Sequence, residues 1–549
     1  MIKIYNIAEP ASQISMAPTI IQPLEKLSDL EKIKASNVYL SVDPMLNMLN
    51  SKGEVIGQLQ TFLSNRSLSV IPLLSLEQQT IIAPLAKLLE GENRFDITLI
   101  SSQPELIKQA RDSMPLIRGA VDYRRYDFST INKPLHFIAQ QTHRAKAKIA
   151  LLPALFSNRK NVETLQKRLI TVWSADSGNS LSETVTMLCS GVNGIISHNT
   201  TQIQQAMGFF NKHSLLRKPL IIGHRGSPSL LPENTLAGAI QAVQLGVDAI
   251  EYDIQLSADK QIVAMHDKNV KRTTNGDGLI EQMNLAEIKR LRITDGENIT
   301  EFLVPTLEEL FAQFAHSALI HFIEIKSNNP EIIAQLKTAI ERYQLADRVV
   351  VISFKKPQLT RMYDTLPEIP IGFLSDFETS KRTDKNLQQI LTATQRFSST
   401  FNPDYKNLTV ETMEAAKHRG TTFWTWTYGD KKQAQYYYAR GTHGLTCDYP
   451  QWFSGFPVSL IPESNNKTIK VGQTLNLTMK IVTQGGESFP AQPIYTVVES
   501  KADYMDSAGI LIFTNPGKAV VLLSYKQQMS EGGYYYIYSG PIQVTIVNE

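Results

Sequence analysis

KPLIIGHRGSPSLLPENTLAGAIQAVQLGVDAIEYDIQL, running from Lys218 to Leu256, holds a strand, a helix and a second strand in that order. KPLIIG and VDAIEYDIQL are short apolar runs of β type, and NTLAGAIQAVQLG between them has a helical period. The same alternation extends outward from about residue 18 to residue 455. Further strand-like runs are QIVAMHD, LIHFIEIK, RVVVISF, IPIGFLS and TTFWTWT; further helical ones are EIIAQLKTAIERYQ and VETMEAAKHRG. Repeated strand–helix units of this length predict a parallel sheet of the α/β class, closed into a (β/α)8 barrel of the TIM type.

Strands of such a barrel are covered on both faces and should be nearly all apolar. A charge there is costly unless it is paired, metal-bound or at the open end of the strand. Several strands nonetheless carry charge. Glu251 and Asp253 stand two apart in VDAIEYDIQL and so share a face, as do Glu324 and Lys326 in LIHFIEIK. KPLIIG runs into His224 and Arg225, and QIVAMHD ends in His266 and Asp267. One such charge is ordinarily a capping or edge residue, and Glu324 with Lys326 alone could be a structural ion pair. Together they are expected to meet at the C-terminal mouth of one barrel, where enzymes of this architecture keep their sites. Three carboxylates offer hard oxygen ligands suited to Mg²⁺ or Ca²⁺. A divalent cation beside Arg225 and Lys326 suits a phosphate diester, and two imidazoles can serve as acid and base near neutral pH.

The bulk numbers fit this reading. With 549 residues the chain exceeds one ordinary core, and about two to four domains are expected. Hydrophobic residues at 42% and charged residues at 19% describe a globular chain. A net charge of +3 without a basic run gives no case for a nucleic-acid partner. Cys189 and Cys447 are too few and too far apart for a disulfide framework or zinc spacing. No run approaches the length of a membrane span, and MIKIYNIAEPASQISMAP lacks the basic start and apolar stretch of a secretion signal.

A weaker copy of the barrel pattern precedes it. LSVIPLLSLEQQTIIAPLAKLLEGENRFDITLISSQPELIKQARDSMPLIRGAV parallels LIHFIEIKSNNPEIIAQLKTAIERYQLADRVVVISFKKPQLTRMYDTLPEIPIGFL, so that Ser101 falls opposite Ser353. ITVWSADSGNSLSETVTMLCSGVNGIISHNT likewise matches TTFWTWTYGDKKQAQYYYARGTHGLTCDYP, at an offset of about 250 residues. Two barrels in tandem are therefore expected, over 1–216 and 217–455. After residue 456 helical periods vanish, and alternating strands such as TIKVGQTLNLTMKIVT and GKAVVLLSYK predict a small all-β sandwich over 456–549. VGQTLNLT with ILIFTNPGKAVVLLSYK resembles bacterial Ig-like domains. That resemblance favours an extracellular or cell-surface location.

At this point the ordered motifs resemble a known family, the glycerophosphodiester phosphodiesterases. They are HRG at His224–Gly226, PENT at Pro232–Thr235, EYD at Glu251–Asp253, HD at His266–Asp267, EIK at Glu324–Lys326, then FWTW and GLTCDYP. Cys447 stands where the family usually has threonine. HRG or HD alone is a weak signal, whereas the ordered set is highly specific. The resemblance implies hydrolysis of glycerophosphodiesters to glycerol 3-phosphate and an alcohol. By matching motifs, His224 and His266 carry over as the acid–base pair, and Glu251, Asp253 and Glu324 as ligands of one divalent cation. Arg225 and Lys326 carry over as phosphate contacts. Glu233, Asn234 and Trp426 are assigned to the substrate side of the site, with packing or capping as the equal alternative. His266 as the acid and His224 as the base is the preferred assignment, and the reverse stays open.

In the N-terminal copy, PTIIQP replaces KPLIIGHRG, Asp43 is retained with Ser41 in a glutamate's place, and VIPLLS lacks the EIK charges. This barrel is expected to be catalytically silent. The competing reading is a non-catalytic surface module that binds glycerol-phosphate polymers such as teichoic acid. A wall polymer is also a candidate substrate, and a homo-oligomer is admissible.

Overall fold

A computed structural model describes residues 3–7, 9–65, 69–92, 95–507 and 510–548. It contains one closed parallel barrel of eight strands, a second that is nearly closed, and a run of β-strands at the C-terminus.

The first barrel starts with Thr19–Pro23 and Asn37–Val42 and continues through Ile71–Ser75, Thr98–Ser101, Arg118–Asp122, Ile149–Leu152, Thr171–Ala175 and Gly194–Ile196. Each strand pairs in parallel with the next, and the last returns to the first through Thr19 opposite Gly194. The second begins with Leu220–Gly223, Ala249–Leu256 and Ile320–Ile325, followed by Val349–Ser353, Ile371–Ser375 and Thr400–Pro403. Trp424–Tyr428 and Gly444–Cys447 complete it, the latter pairing back to Leu220–Gly223. Between Thr400–Pro403 and Trp424–Tyr428 only two isolated bridges form, Phe401 to Phe423 and Asp404 to Trp426.

Local sequence explains the elements. Val349–Ser353 reads VVVIS and is buried along its whole length, as a strand covered on both faces must be. The helix Ile332–Tyr343 buries Ile332, Ile333, Leu336, Ala339 and Ile340, one stripe at helical spacing, against the sheet. The helix Leu236–Gln244 starts at Thr235, whose Oγ1 accepts from the Gly238 amide at 3.0 Å.

Strand register fixes how the two barrels correspond. Ile21 and Ile222 occupy the same place between their neighbours, which sets Pro23 against His224, Tyr39 against Glu251 and Ser41 against Asp253. The next strand then sets Ser75 against Glu324. The sequence comparison is corrected by two residues here: Asp43 answers to Gln255 and is no remnant of Asp253. Its carboxylate instead turns a hairpin, accepting from the amides of Met45 at 2.9 Å and Asn47 at 2.8 Å.

The barrels stack floor to floor. Thr171 Oγ1 donates to the Gly420 carbonyl at 2.7 Å, and Asn37 Nδ2 to that of His418 at 3.0 Å. Thr19 Oγ1 lies 2.8 Å from His418 Nδ1, and Lys148 Nζ 3.4 Å from the Ile371 carbonyl. All these residues lie at or just before the N-terminal ends of barrel strands, so the two C-terminal mouths open in opposite directions. Gly420, at φ +69°, fits because a Cβ would come within 2.6 Å of Ile149 Cδ1.

Asp96 pins the seam. It is fully buried and accepts from Arg118 of its own barrel at 2.9 Å, from Arg419 of the other at 2.7 Å and from the Tyr5 amide at 3.0 Å. Burial alone would raise its pKa, but Arg419 and Arg118 outweigh it and hold the carboxyl below its usual range.

The C-terminal strands form a three-stranded sheet from Pro457–Pro462, Met479–Thr483 and Ser488–Ala491, a five-stranded sheet centred on Gly517–Gln528, and the hairpin Tyr504–Ser507/Ile510–Phe513. They brace both barrels. Gln484 Nε2 donates to the Gly246 carbonyl at 2.6 Å, the Leu215 amide to Tyr536 at 2.8 Å, and the Ser182 amide to Glu499 at 3.1 Å. Tyr438, Phe453, Phe456 and Tyr535 join this segment to the second barrel in one apolar cluster. No helix among the described residues is long and apolar enough to cross a membrane.

Asp96→Ala should cost about 3–5 kcal/mol, because it leaves Arg118 and Arg419 buried without their counter-charge. The depressed pKa also sets a sign. The stabilisation is complete above the unfolded aspartate value of about 3.9 and fades as pH falls through the lower folded value. Urea melts of wild type and variant between pH 2 and 7 check both, and equal midpoints at pH 7 would remove Asp96 from the seam.

Candidate functional site

At the C-terminal mouth of the second barrel, strand pairing brings the acidic residues together. Asp253 lies directly opposite Glu324 in register, and Glu251 is one pleat below Asp253 on the same face. One carboxylate oxygen from each of Glu251, Asp253 and Glu324 lies within 4.8 Å of the others, and all three residues are buried. Among the described residues this is the one such group of potential metal ligands.

Three buried carboxylates at this distance repel one another, and their pKa values shift in different directions according to their neighbours. Burial, then Asp253 and Glu324, pushes Glu251 well above the ordinary glutamate range. Burial and Asp253 push Glu324 up to about 7, against the pull of Lys326. Asp253 goes the other way: despite its burial, Arg225, Lys326 and both imidazoles hold its carboxyl below the usual value. Lys326 Nζ is 2.6 Å from Glu324 Oε1 and 3.4 Å from Asp253 Oδ1. Arg225 Nε is 3.0 Å from Asp253 Oδ2, close enough for an ion pair although its N–H is not directed at that oxygen.

The HRG turn delivers these contacts through its backbone. Arg225 and Gly226 have φ of +50° and +94°. At Gly226 a side chain is excluded, since a Cβ would lie 2.8 Å from the Gly238 carbonyl carbon. The left-handed turn points the Arg225 amide at Glu251 Oε2, 3.0 Å away. Asn234, also left-handed at φ +54°, clasps Asp253 from both sides: its Nδ2 donates to Oδ2 at 2.9 Å, and its Oδ1 accepts from the Asp253 amide at 3.2 Å. Thr235 caps the helix, so Asn234 is free to position a carboxylate. Glu233 accepts from Arg225 at 3.0 Å and from Arg272 at 2.7 Å, linking the turn to the loop after His266.

Both histidines are oriented by carboxylates. His224 Nδ1 is 2.6 Å from Asp448 Oδ1, and His266 Nδ1 is 2.6 Å from Asp267 Oδ1. An ionised carboxylate only accepts, so each Nδ1 carries the proton and each Nε2 is left for chemistry. Arg272 holds Asp267 in turn and, ahead of the other contributions, draws its pKa down to about 2. Burial lowers the His266 pKa, with Asp253 and Asp267 opposing. Trp426 Nε1 donates to the Asn402 carbonyl at 2.7 Å, and its ring meets Phe354 edge-on with centroids 5.3 Å apart. Phe354 also lies under Lys326 Nζ, 5.8 Å from the ring centroid.

Every residue selected from sequence lies in this region. Sequence reasoning missed the orienting roles of Asp448, Asp267 and Arg272. Asp448 and Asp267 sit inside the quoted GLTCDYP and HD motifs, where adjacency to a histidine or a strand end was the available signal. Arg272 carried none.

The opposite mouth lacks this chemistry. Tyr39 occupies the Glu251 position, and Ser41 and Ser75 those of Asp253 and Glu324. Arg124 grips Asp122 with contacts of 2.7–3.1 Å and lies 5.3 Å over the Tyr39 ring. The cation and the carboxylate there neutralise each other.

The donor set at the second mouth fits a divalent cation. Oε1 of Glu251 is buried with no hydrogen-bond partner, an uncompensated acceptor beside two further carboxylates.

Residues 224–452 match the sequence model of the Glycerophosphoryl diester phosphodiesterase family. A glycerophosphodiester phosphodiesterase of Caldanaerobacter subterraneus subsp. tengcongensis is 34% identical over 239 residues, covering 43% of this chain and 96% of the relative. One of Bacillus subtilis is 27% identical over 281 residues, covering 47% and 93%. Among solved structures, an Oleispira antarctica phosphodiesterase in complex with the product sn-glycerol-3-phosphate is 28% identical with a TM-score of 0.38, covering 43% of this chain and 94% of that one.

Mg²⁺ or Ca²⁺ should raise the melting temperature, and Glu251→Gln should cancel that rise. In EDTA the same variant should melt above wild type, because it removes a buried carboxyl whose ionisation its neighbours oppose and whose raised pKa costs stability at neutral pH. Differential scanning calorimetry decides; a variant that still responds fully to the ion would free Glu251 from the role of ligand.

Proposed function

This chain belongs to the glycerophosphodiester phosphodiesterase family and is a phosphoric diester hydrolase, and from that premise we propose that its second barrel uses a divalent cation and His224 and His266 to split glycerophosphodiesters into glycerol 3-phosphate and an alcohol. The observation that carries the reading is the triad of Glu251, Asp253 and Glu324 at one barrel mouth, with two carboxylate-oriented imidazoles beside it.

Glu251, Asp253 and Glu324 would hold the cation. When bound it would offset phosphate charge and polarise a phosphoryl oxygen. Arg225 and Lys326 complement the remaining charge of the diester, and their ties to Asp253 keep both in place before substrate arrives. His224, with its Nδ1 proton fixed by Asp448, is suited to accept a proton at Nε2 from the attacking oxygen. His266 in its protonated form donates to the departing alcohol, and Asp267 stabilises that imidazolium. Glu233 and Asn234 position Arg225 and Asp253, and the Trp426–Phe354 pair borders the pocket beside Lys326.

The chain divides, in this reading, into a silent barrel over 1–216, the catalytic barrel over 217–455 and an Ig-like sandwich over 456–549. Tyr39, Ser41 and Ser75 in place of the three carboxylates support silence in the first.

His224→Ala, His266→Ala and Glu324→Ala should each lower kcat by at least about 10²-fold while circular dichroism stays unchanged. EDTA should abolish release of glycerol 3-phosphate, and an added divalent ion should restore it. Asp43→Ala should leave turnover at the wild-type rate. Release that persists in EDTA would sink the metal-dependent mechanism; no release under any condition would favour a binder of glycerol-phosphate polymers.

A further inference from the structure

The seam between the barrel floors holds a small, partly open cavity of about 40 Å³, lined by Arg111, Arg118, Lys146, Lys148 and Arg419 together with hydroxyl residues that include Ser399. Five cations line it, of which Arg111, Arg118 and Arg419 are buried and Lys146 and Lys148 partly so. Their recorded ion-pair partners among the described residues are two carboxylates: Asp96, shared by Arg118 and Arg419, and Asp112, which holds Lys146. Arg111 donates to neutral oxygens, among them the carbonyls of Lys146 at 3.1 Å and Pro115 at 2.6 Å and Ser398 Oγ at 3.0 Å. The Lys148 ammonium makes one long contact, 3.4 Å to the Ile371 carbonyl. Nη2 of Arg118 and Oγ of Ser399 are buried with no hydrogen-bond partner.

Arg111 and Lys148 thus have no carboxylate partner, Arg118 and Arg419 share one, and two buried hydrogen-bonding groups have no partner, at a cost proteins rarely accept in the interior. Burial pushes Lys148 down to about 7 and Arg111 and Arg118 to about 10. Losing the Lys148 proton would relieve part of the charge, yet it would supply no acceptor for Arg118 Nη2.

We propose that this inter-barrel cavity binds a small tetrahedral oxyanion of the phosphate class, which bridges the two barrels at the end opposite the catalytic mouth. A tetrahedral oxyanion presents several acceptors and matches a guanidinium and an ammonium together. The size selects the ligand. One water occupies roughly 10–15 Å³ on this measure, so the space admits inorganic phosphate and is too small for a nucleotide or a sugar phosphate. The anion adds charge pairing between Arg118 and Lys148 of the first barrel and hydroxyl contact with Ser399 of the second, so its effect is on cohesion of the stack. It takes no part in turnover.

The test uses the full chain at constant ionic strength in EDTA, with inorganic phosphate and sn-glycerol 3-phosphate as separate probes and melting temperature as readout. Lys326→Met, at the catalytic mouth, is the control for an anion bound there. Inorganic phosphate should raise the melting temperature of wild type and of Lys326→Met alike, whereas glycerol 3-phosphate should do nothing for Lys326→Met. Lys148→Met should weaken the phosphate response about ten-fold or more, as expected for loss of a charge-assisted hydrogen bond, with turnover unchanged. Should Lys148→Met fail to fold, Ser399→Ala, which keeps every charge, must also weaken it. No phosphate response in wild type, a response lost in Lys326→Met, or one retained by the seam variants would overturn the proposal. The last two would assign the ion to the mouth or to the outer surface.

Discussion

Glu251, Asp253 and Glu324 must be held within 4.8 Å of one another, away from bulk water, by a protein that pays for that repulsion before any substrate binds. Much of the surrounding local structure answers this demand. Arg225 adopts a left-handed conformation, which costs a residue with a Cβ on the order of 1–3 kcal/mol, and thereby turns its amide to Glu251 and its guanidinium to Asp253. Asn234 adopts another and clasps Asp253. Lys326 completes the set from the neighbouring strand. Two cations against three carboxylates leave Glu251 unsatisfied, and a divalent cation is the complement this imbalance calls for.

The mouth of the first barrel shows the same constraint when the acids are gone. With Tyr39, Ser41 and Ser75 at the three equivalent positions, no repulsion has to be offset, and no left-handed arginine follows Pro23. At that end Arg124 is neutralised within its own loop by Asp122. Floor-to-floor stacking keeps this mouth and the acidic one at opposite ends, so neither can contribute side chains to the other. The seam has its own electrostatic economy, in which Asp96 serves two arginines from different barrels.

Much of the candidate site was legible because it lies at positions where local pattern and chemistry conflict. Alternating side chains in a strand place Glu251 with Asp253 and Glu324 with Lys326 on common faces, and carboxylates among valines and isoleucines need a reason. The repeat was legible in its matching strand–helix runs, and its register held where Ser101 answers to Ser353 but slipped by two residues in the strands that carry Asp43 and Ser75. Asp43 looked like a surviving ligand because motif letters slide freely along a sequence, whereas hydrogen-bonded strands do not. Asp448 stayed without a role because its partner, His224, is 224 residues away in the chain. The all-β reading of the tail rested on alternating strand patterns, and the strands are present.

The sequence by itself determined the strand–helix alternation, the pairing of charges on strand faces and the loss of those charges in the first barrel, because each follows from periodicity within a few residues. Tertiary structure alone decided that the barrels join at their floors, that Asp448 and Asp267 fix the tautomers of the two histidines, and that five cations gather at the seam. Those outcomes depend on contacts between residues tens to hundreds of positions apart, and no local period records which distant groups will share one low-dielectric space.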